Sequence, residues 1–308
     1  KHLLIFSAIV MQLHITALAA SGKTAQAAVA MPDSYSSDVA RAILEQGGNA
    51  VDAAVTTAFT LQTAEPWMSG LGACGYMLVG EPDGQVETIE FTGRLPAVID
   101  ANTYAPDPSG ALFFNGNAIS RDHNNIRGFP AAAIPGCVRG FDQALTRYGT
   151  ISFARALTPA LERAKAGMTV DWHTTLAIAL AEQNIRKDSG MSSVFLPNGT
   201  IPQPGQILAM PALAATLERL VEHGADEFYR GQIATDLVAD LQAGGNGITK
   251  GDLRNYAPLT YPSVTSMCGG YQLHTAGHTS AGARLHETIT QFTNRHGDGP
   301  VSPEFFTA

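Results

Sequence analysis

The sequence predicts a layered α/β fold with helices on the outside. Three observations predict it. Residues 49–63 are apolar on nearly every side, as a helix buried all round would be. Directly after them, residues 76–79 and 86–91 flank the turn residues Glu81-Pro82-Asp83-Gly84, as a hairpin requires. Beyond residue 135 most of the chain reads in helical stretches separated by turn clusters.

The 308 residues are about two average domains by length, and one large α/β domain is also allowed. They are 45% hydrophobic and only 15% charged, against a usual charged share of about 25%, which excludes a disordered solvating chain. A net charge of −8 argues against nucleic acid or an anionic membrane as partner. Cys74, Cys137 and Cys268 lie far apart and form no CxxC pair, so neither a disulfide scaffold nor a zinc ribbon is expected.

Residues 1–20 carry Lys1 and His2, an apolar run from Leu3 to Leu13, and Ala17-Leu18-Ala19-Ala20, the pattern of a secretory signal peptide. The run is shorter than the roughly 20 apolar residues of a membrane span. Residue 1 is not Met, and a start at Met11 would remove most of the apolar run. Export to the periplasm or medium and an ordinary leader on a cytoplasmic protein both stay open.

Ser34 or Ser36 is expected to cap a first helix carrying Val39, Ile43 and Leu44, stopped by Gly47-Gly48. Pro66 closes the apolar helix, and residues 70–75 form a glycine-rich loop into the hairpin. Residues 100–128, rich in Asn, Asp, Pro and Gly, read as a surface excursion. Pro135-Gly136 opens a helix that runs to Tyr148. Further helices are expected near 153–166, 172–187, 211–223 and 226–243, with Thr249 capping a short one through Tyr256. A strand at 271–274, a small-residue loop at 275–282 and a polar, turn-like stretch at 294–303 follow.

Gly70-Leu71-Gly72-Ala73-Cys74-Gly75 matches GxGxxG, with Glu90 20 residues on from Gly70. Nucleotide binding needs a strand before those glycines and a helix after, and here the order is reversed. A loop that lets backbones pass closely is the better account. His274, His278 and His286 could suggest a metal, but Gly277 and the small-residue run disfavour a helix, and no HExxH accompanies them. No metal or cofactor is expected. Asn198-Gly199-Thr200 is a glycosylation sequon, meaningful only in a eukaryotic secretory route. There is no GxSxG elbow.

Several blocks, taken in order, resemble the gamma-glutamyltransferase family of N-terminal-nucleophile hydrolases. Residues 46–55, QGGNAVDAAV, are similar to that family's signature, and Glu65-Pro66-Trp67-Met68-Ser69-Gly70-Leu71-Gly72 to its next block. Ala133-Ile134-Pro135-Gly136 with Gly140 resembles the family's helix start. Phe195-Leu196-Pro197-Asn198-Gly199, Pro204-Gly205, Leu213-Ala214-Ala215-Thr216-Leu217, Phe228-Tyr229-Arg230-Gly231, Thr249 with Asp252-Leu253 and Tyr256, and Ser280-Ala281-Gly282 follow in family order. The resemblance spans residues 28–290. It implies the αββα sandwich, with residues 21–308 as a partial domain, the large-subunit portion. It also implies cleavage of γ-glutamyl amides such as glutathione, the acyl group passing to water or an amino acid. In that chemistry a precursor cleaves itself to expose a threonine, whose α-amine (pKa about 8) is the base for its own hydroxyl, and backbone amides hold the oxyanion.

Three departures bear on this. The chain ends 26 residues after Gly282, before the family's threonine junction, so no catalytic residue is assigned and a small subunit is the expected partner. Thr56-Thr57 and Thr174-Thr175 fall inside expected helices and cannot become a chain start. The glycine run reads Gly72-Ala73-Cys74-Gly75, adding side chains where close backbone approach is expected. Finally, Phe91-Thr92-Gly93-Arg94-Leu95-Pro96 lacks the family's Phe-Arg-Glu arrangement and is closer to that of acylase-like relatives. Arg94 is the candidate for a substrate carboxylate, because guanidinium pairs carboxylates bidentately; its structural alternative is an ion pair. A cephalosporin- or glutaryl-acylase-like member and a non-catalytic relic are the competing functions.

Overall fold

Asp33 starts the first helix. The computed structural model describes residues 27–99, 102–112, 118–268, 271–277 and 279–296. In it the Asp33 carboxylate accepts the Ser36 N–H at 2.9 Å ahead of α1 (Ser34–Glu45). Ser34 and Ser36, the caps expected from sequence, therefore lie inside the helix, because the carboxylate at 33 already meets the third helical amide. The leader at residues 1–20, His278 and the end of the turn-like stretch beyond residue 296 lie outside the described residues.

Helix α2 (Ala50–Ala64) opens on a reciprocal cap. Asn49 Oδ1 accepts the N–H groups of Val51 and Asp52, and Asp52 accepts that of Asn49 at 2.8 Å. Val55, Thr56, Phe59 and Thr60 are fully buried, as expected for a helix covered on every side. The 70–75 loop leads into β1 (Gly75–Gly80), which pairs antiparallel with β2 (Val86–Phe91), Tyr76 opposite Glu90. A helix thus precedes the glycines and a strand follows, the order that disqualifies a dinucleotide site. Gly70 and Gly72 have open space where a Cβ would stand, so close approach does not explain them.

Close approach occurs instead at α3 (Cys137–Tyr148). A Cβ at Gly136 would collide with the Phe91 carbonyl and the Tyr256 hydroxyl, and one at Gly140 with the Phe91 ring. The two glycines let α3 lie directly on β2. No side chain caps α3; the Ala73 carbonyl accepts the Gly136 and Cys137 N–H groups at 3.2 and 2.9 Å.

The chain continues through α4 (Phe153–Ala166), β3 (Met168–Thr169), α5 (Trp172–Ile185), α6 (Ser189–Phe195), β4 (Ile207–Leu208) and α7 (Pro211–His223). The expected helix over 226–243 is two, α8 (Asp226–Arg230) and α9 (Gln232–Ala243). Glu227 breaks it: its carboxylate occupies the space beside Gly231 and accepts the Gln232 N–H at 3.0 Å, capping α9 anew. Thr249 caps α10 (Lys250–Arg254), as expected. Then come β5 (Leu259–Pro262), β6 (Val264–Cys268), β7 (Tyr271–Thr275) and α11 (Gly282–His296). Residues 294–296, expected in a turn, are the last of α11.

Strand β5 joins β2 to complete a three-stranded antiparallel sheet, β1-β2-β5, while β6 and β7 form their own hairpin under α11. The main core holds α2, α3, α4, α7 and the inner face of β2, through Phe59, Ile89, Phe91, Phe141, Leu157 and Leu217. Phe59 meets Phe141 edge-on at 5.0 Å, and Phe141 meets Phe91 at 5.4 Å. The opposite face of β2, with Thr88 and Glu90, is also buried.

Candidate functional site

Arg94 stands just past β2, where its backbone exchanges two hydrogen bonds with Ile134. That bridge brings the segment after β2 beside the start of α3. The side chain is exposed. Its guanidinium donates to the Ala257 carbonyl at 2.9 Å and lies 5.4 Å from the centre of the Tyr256 ring. Among the described residues it forms no salt bridge.

Tyr256 is the second rung of a ladder. It stacks on Tyr229 at 5.8 Å with the rings 12° from parallel, and Arg139 lies over the Tyr229 ring at 4.7 Å. Hydrogen bonds pin both tyrosines: Tyr256 donates to the Thr92 carbonyl at 2.8 Å and Tyr229 to the Pro135 carbonyl at 3.0 Å. Burial pushes both phenols well above their ordinary pKa, Arg94 opposing this only partly at Tyr256, so they are neutral donors. Arg94 is thereby presented outward from a rigid aromatic base.

Glu90 lies on the other face of the same strand end. Its carboxylate accepts the Tyr261 hydroxyl at 2.7 Å and the Thr92 hydroxyl at 2.9 Å. Burial opposes its ionisation, but these hydrogen bonds and the Arg94 charge outweigh it and hold the carboxyl below its usual range. Tyr261 also accepts the Gly277 N–H at 3.3 Å, and Tyr76 donates to Thr279 at 3.1 Å. Ser280 donates to the Gly277 carbonyl at 2.8 Å and accepts the Gly282 N–H at 2.9 Å. The loop 275–282 is thus tied to the strand end that carries Arg94.

Other sequence candidates fall elsewhere. His274 is on β7, its Nδ1 2.8 Å from the Ser263 hydroxyl, and His286 is on α11. The four-residue spacing of His274 and His278 therefore starts on a strand, not on a helix. Thr56-Thr57 lies inside buried α2, and Thr174-Thr175 in the first turn of α5. Buried Cys137 has its thiol pushed up to about 12 by desolvation and accepts a hydrogen bond from Gln62 at 3.3 Å.

The sequence profile of the gamma-glutamyltranspeptidase family matches residues 36–297. The chain belongs to that family. It is 33% identical over 264 residues to the glutathione hydrolase proenzyme of Bacillus subtilis, covering 85% of this chain and 43% of the relative. It is 32% identical to the acylase ACY 1 proenzyme of Pseudomonas sp. (strain SE83), covering 75% and 41%. The chain thus spans less than half the length of these two relatives. Among solved structures it superposes on the Helicobacter pylori gamma-glutamyltranspeptidase with a TM-score of 0.80 at 26% identity, covering 89% of this chain and 76% of that one. The Pseudomonas nitroreducens gamma-glutamyltranspeptidase complexed with L-DON gives 0.75 at 32% identity, covering 91% and 81%. The fold is the large-subunit part of the αββα sandwich of N-terminal-nucleophile hydrolases.

The family signature acquires a physical meaning here. Asn49 and Asp52 cap α2, and Gly48 fits against Ile43, where a Cβ would come within 2.7 Å. Those residues build the scaffold. The blocks at Tyr229 and Tyr256 build the ladder under Arg94. Glu90 and Tyr261 escape sequence reasoning, since a Glu on one strand and a Tyr 171 residues later carry no shared pattern.

Proposed function

We propose that this chain is the large-subunit portion, residues 21–308, of an enzyme that cleaves γ-glutamyl amides and passes the acyl group to water or an amino-acid acceptor. The nucleophile is a threonine supplied by a small subunit, with its own α-amine as base. Family membership supports the reaction class. The observation that carries the reading at the residue level is the exposed Arg94 guanidinium resting on Tyr256 with no salt bridge among the described residues. Its planar fork suits a substrate carboxylate. In this reading the leader pattern at residues 1–20 directs the enzyme to the periplasm or medium. No helix of the described residues is long and apolar enough to cross a membrane.

A second reading, an acylase acting on a glutaryl-like side chain, is favoured by Thr92-Gly93-Arg94, which replaces the Phe-Arg-Glu arrangement. One experiment tests both. The chain is fused to the remaining part of the Bacillus subtilis relative and assayed on γ-glutamyl-p-nitroanilide and glutaryl-p-nitroanilide. Preferential γ-glutamyl turnover is expected. Preferential glutaryl turnover replaces the first reading with the second, and a folded fusion inert on both overturns the two together.

A further inference from the structure

Glu90 and Arg94 sit close in sequence at the end of β2, carry opposite charges and do not pair. Neither forms a salt bridge among the described residues. They are nevertheless within electrostatic reach. The Arg94 charge helps to hold the Glu90 carboxyl low, and both charges act on the Tyr256 phenol. A carboxylate that is only 5% exposed gains from pairing with a nearby guanidinium, because an uncompensated buried charge is costly. Something holds the two apart.

The hydrogen bonds show what does. One Glu90 oxygen accepts the Thr92 hydroxyl at 2.9 Å and the other the Tyr261 hydroxyl at 2.7 Å, which fixes the plane of the carboxylate. An ionised carboxylate only accepts, so both hydroxyls must donate. Both donors are themselves anchored. The Tyr261 oxygen accepts the Gly277 N–H at 3.3 Å, and a Cβ at Gly277 would come within 2.9 Å of the Tyr261 ring. The Thr92 carbonyl accepts the Tyr256 hydroxyl at 2.8 Å. Arg94, for its part, is held by the Ala257 carbonyl and the Tyr256 ring, which are neutral and leave its charge unspent.

We propose that Thr92 and Tyr261 are positioning residues that restrain the Glu90 carboxylate from pairing with Arg94, and so keep the guanidinium open to a substrate carboxylate. The proposal rests on the reading of Arg94 given above. Released from either hydroxyl, Glu90 turns to Arg94 and competes with the substrate as an internal carboxylate. A restraint of this kind has a signature that a merely structural role lacks: removing the Glu90 charge cures the loss of the hydroxyl.

Phenylglyoxal, which condenses with accessible guanidinium groups, reads the pairing in the 308-residue chain, with mass spectrometry locating Arg94. Tyr261→Phe keeps the ring and removes one restraint, and Thr92→Val removes the other. Each should slow labelling of Arg94 at least about threefold, the strength of an exposed ion pair. Glu90→Gln added to either variant should restore the parent rate. In the fused enzyme, Tyr261→Phe should raise KM at least about threefold on the anilide that the parent turns over, with kcat held within about twofold. Glu90→Gln should reverse that rise. Unchanged labelling in both single variants, or slowing that Glu90→Gln leaves in place, would overturn the proposal. An active parent fusion whose KM ignores Tyr261→Phe would overturn it alone, whereas a parent inert on both anilides overturns the reading on which it rests.

Discussion

The Asp52 carboxylate accepts the backbone N–H of Thr150 at 2.8 Å and its hydroxyl at 2.6 Å, across 98 residues of sequence. The same carboxylate takes the amides of Asn49 and Ile151, so the start of α2 is fastened to the turn before α4. Asn49 reinforces the link by donating to the Tyr148 carbonyl.

Asp52→Asn should destabilise the protein by about 2–4 kcal/mol at pH 7, because an amide nitrogen then faces backbone donors in a buried site. Burial opposes ionisation of Asp52, but the hydrogen bonds from Thr150, Asn49 and Ile151 outweigh it and lower its pKa. A lowered folded-state pKa gives stability that is full above the unfolded value, near 3.9, and is lost as pH falls through the folded value. The gap between parent and variant, followed by urea melts from pH 7 downwards, should therefore narrow below about pH 4. A constant gap would show that the charge of Asp52 is not what holds the turn.

Gly140→Ala tests the seat of α3 on β2. Helix propensity alone favours alanine by about 1 kcal/mol. The added Cβ meets the Phe91 ring, however, and overpacking should turn that gain into a net loss of about 1–3 kcal/mol. Combined with Phe91→Leu, the loss should be less than the sum of the single losses, since the clash is with that ring. Additive losses in a chemical-denaturation cycle would place the strain elsewhere.

The architecture was legible wherever a local signal existed. Asn49 followed by Asp52, Pro135-Gly136 before α3 and Thr249 before α10 announce helix starts through their own chemistry. The single helix expected over 226–243 failed because the break at Gly231 depends on where Glu227 swings its carboxylate, and periodicity carries no trace of that. Strands β5 and β6 went unseen because Pro258 and Pro262 mask the pattern and the pairing partner of β5 is β2, far back in the chain. The sequence singles out Arg94 by its block alone, whereas the Tyr256–Tyr229 stack beneath it exists only in three dimensions.

The 308-residue chain on its own should release no p-nitroaniline from γ-glutamyl-p-nitroanilide and should not cleave itself. Its Thr56-Thr57 pair is buried in α2, with Thr57 donating to the Ala53 carbonyl at 2.7 Å. Thr174 is buried and Thr175 donates to the Asp171 and Pro202 carbonyls. Neither pair can present a free α-amine beside a threonine hydroxyl, which the acyl-transfer step requires. Turnover that co-purifies with the chain through two unlike columns, or a new N-terminus found by mass spectrometry, would refute this.

Arg94→Lys separates recognition from scaffold. Lysine keeps the charge but loses the planar fork, and with it the bidentate grip on a carboxylate. In the fused enzyme, losing a charge-assisted pair should cost on the order of 2–3 kcal/mol, or about 30–150-fold in kcat/KM. The loss should be largest for substrates carrying the carboxylate and small for a neutral amide analogue. The Arg94 side chain and its bond to the Ala257 carbonyl are exposed, so folding should lose only about 1 kcal/mol. Melting temperatures of parent and variant are recorded with the kinetics. A large drop in melting temperature with kcat/KM retained would make Arg94 the upper rung of the tyrosine ladder and nothing more. An unchanged value for both would leave it a solvated surface arginine.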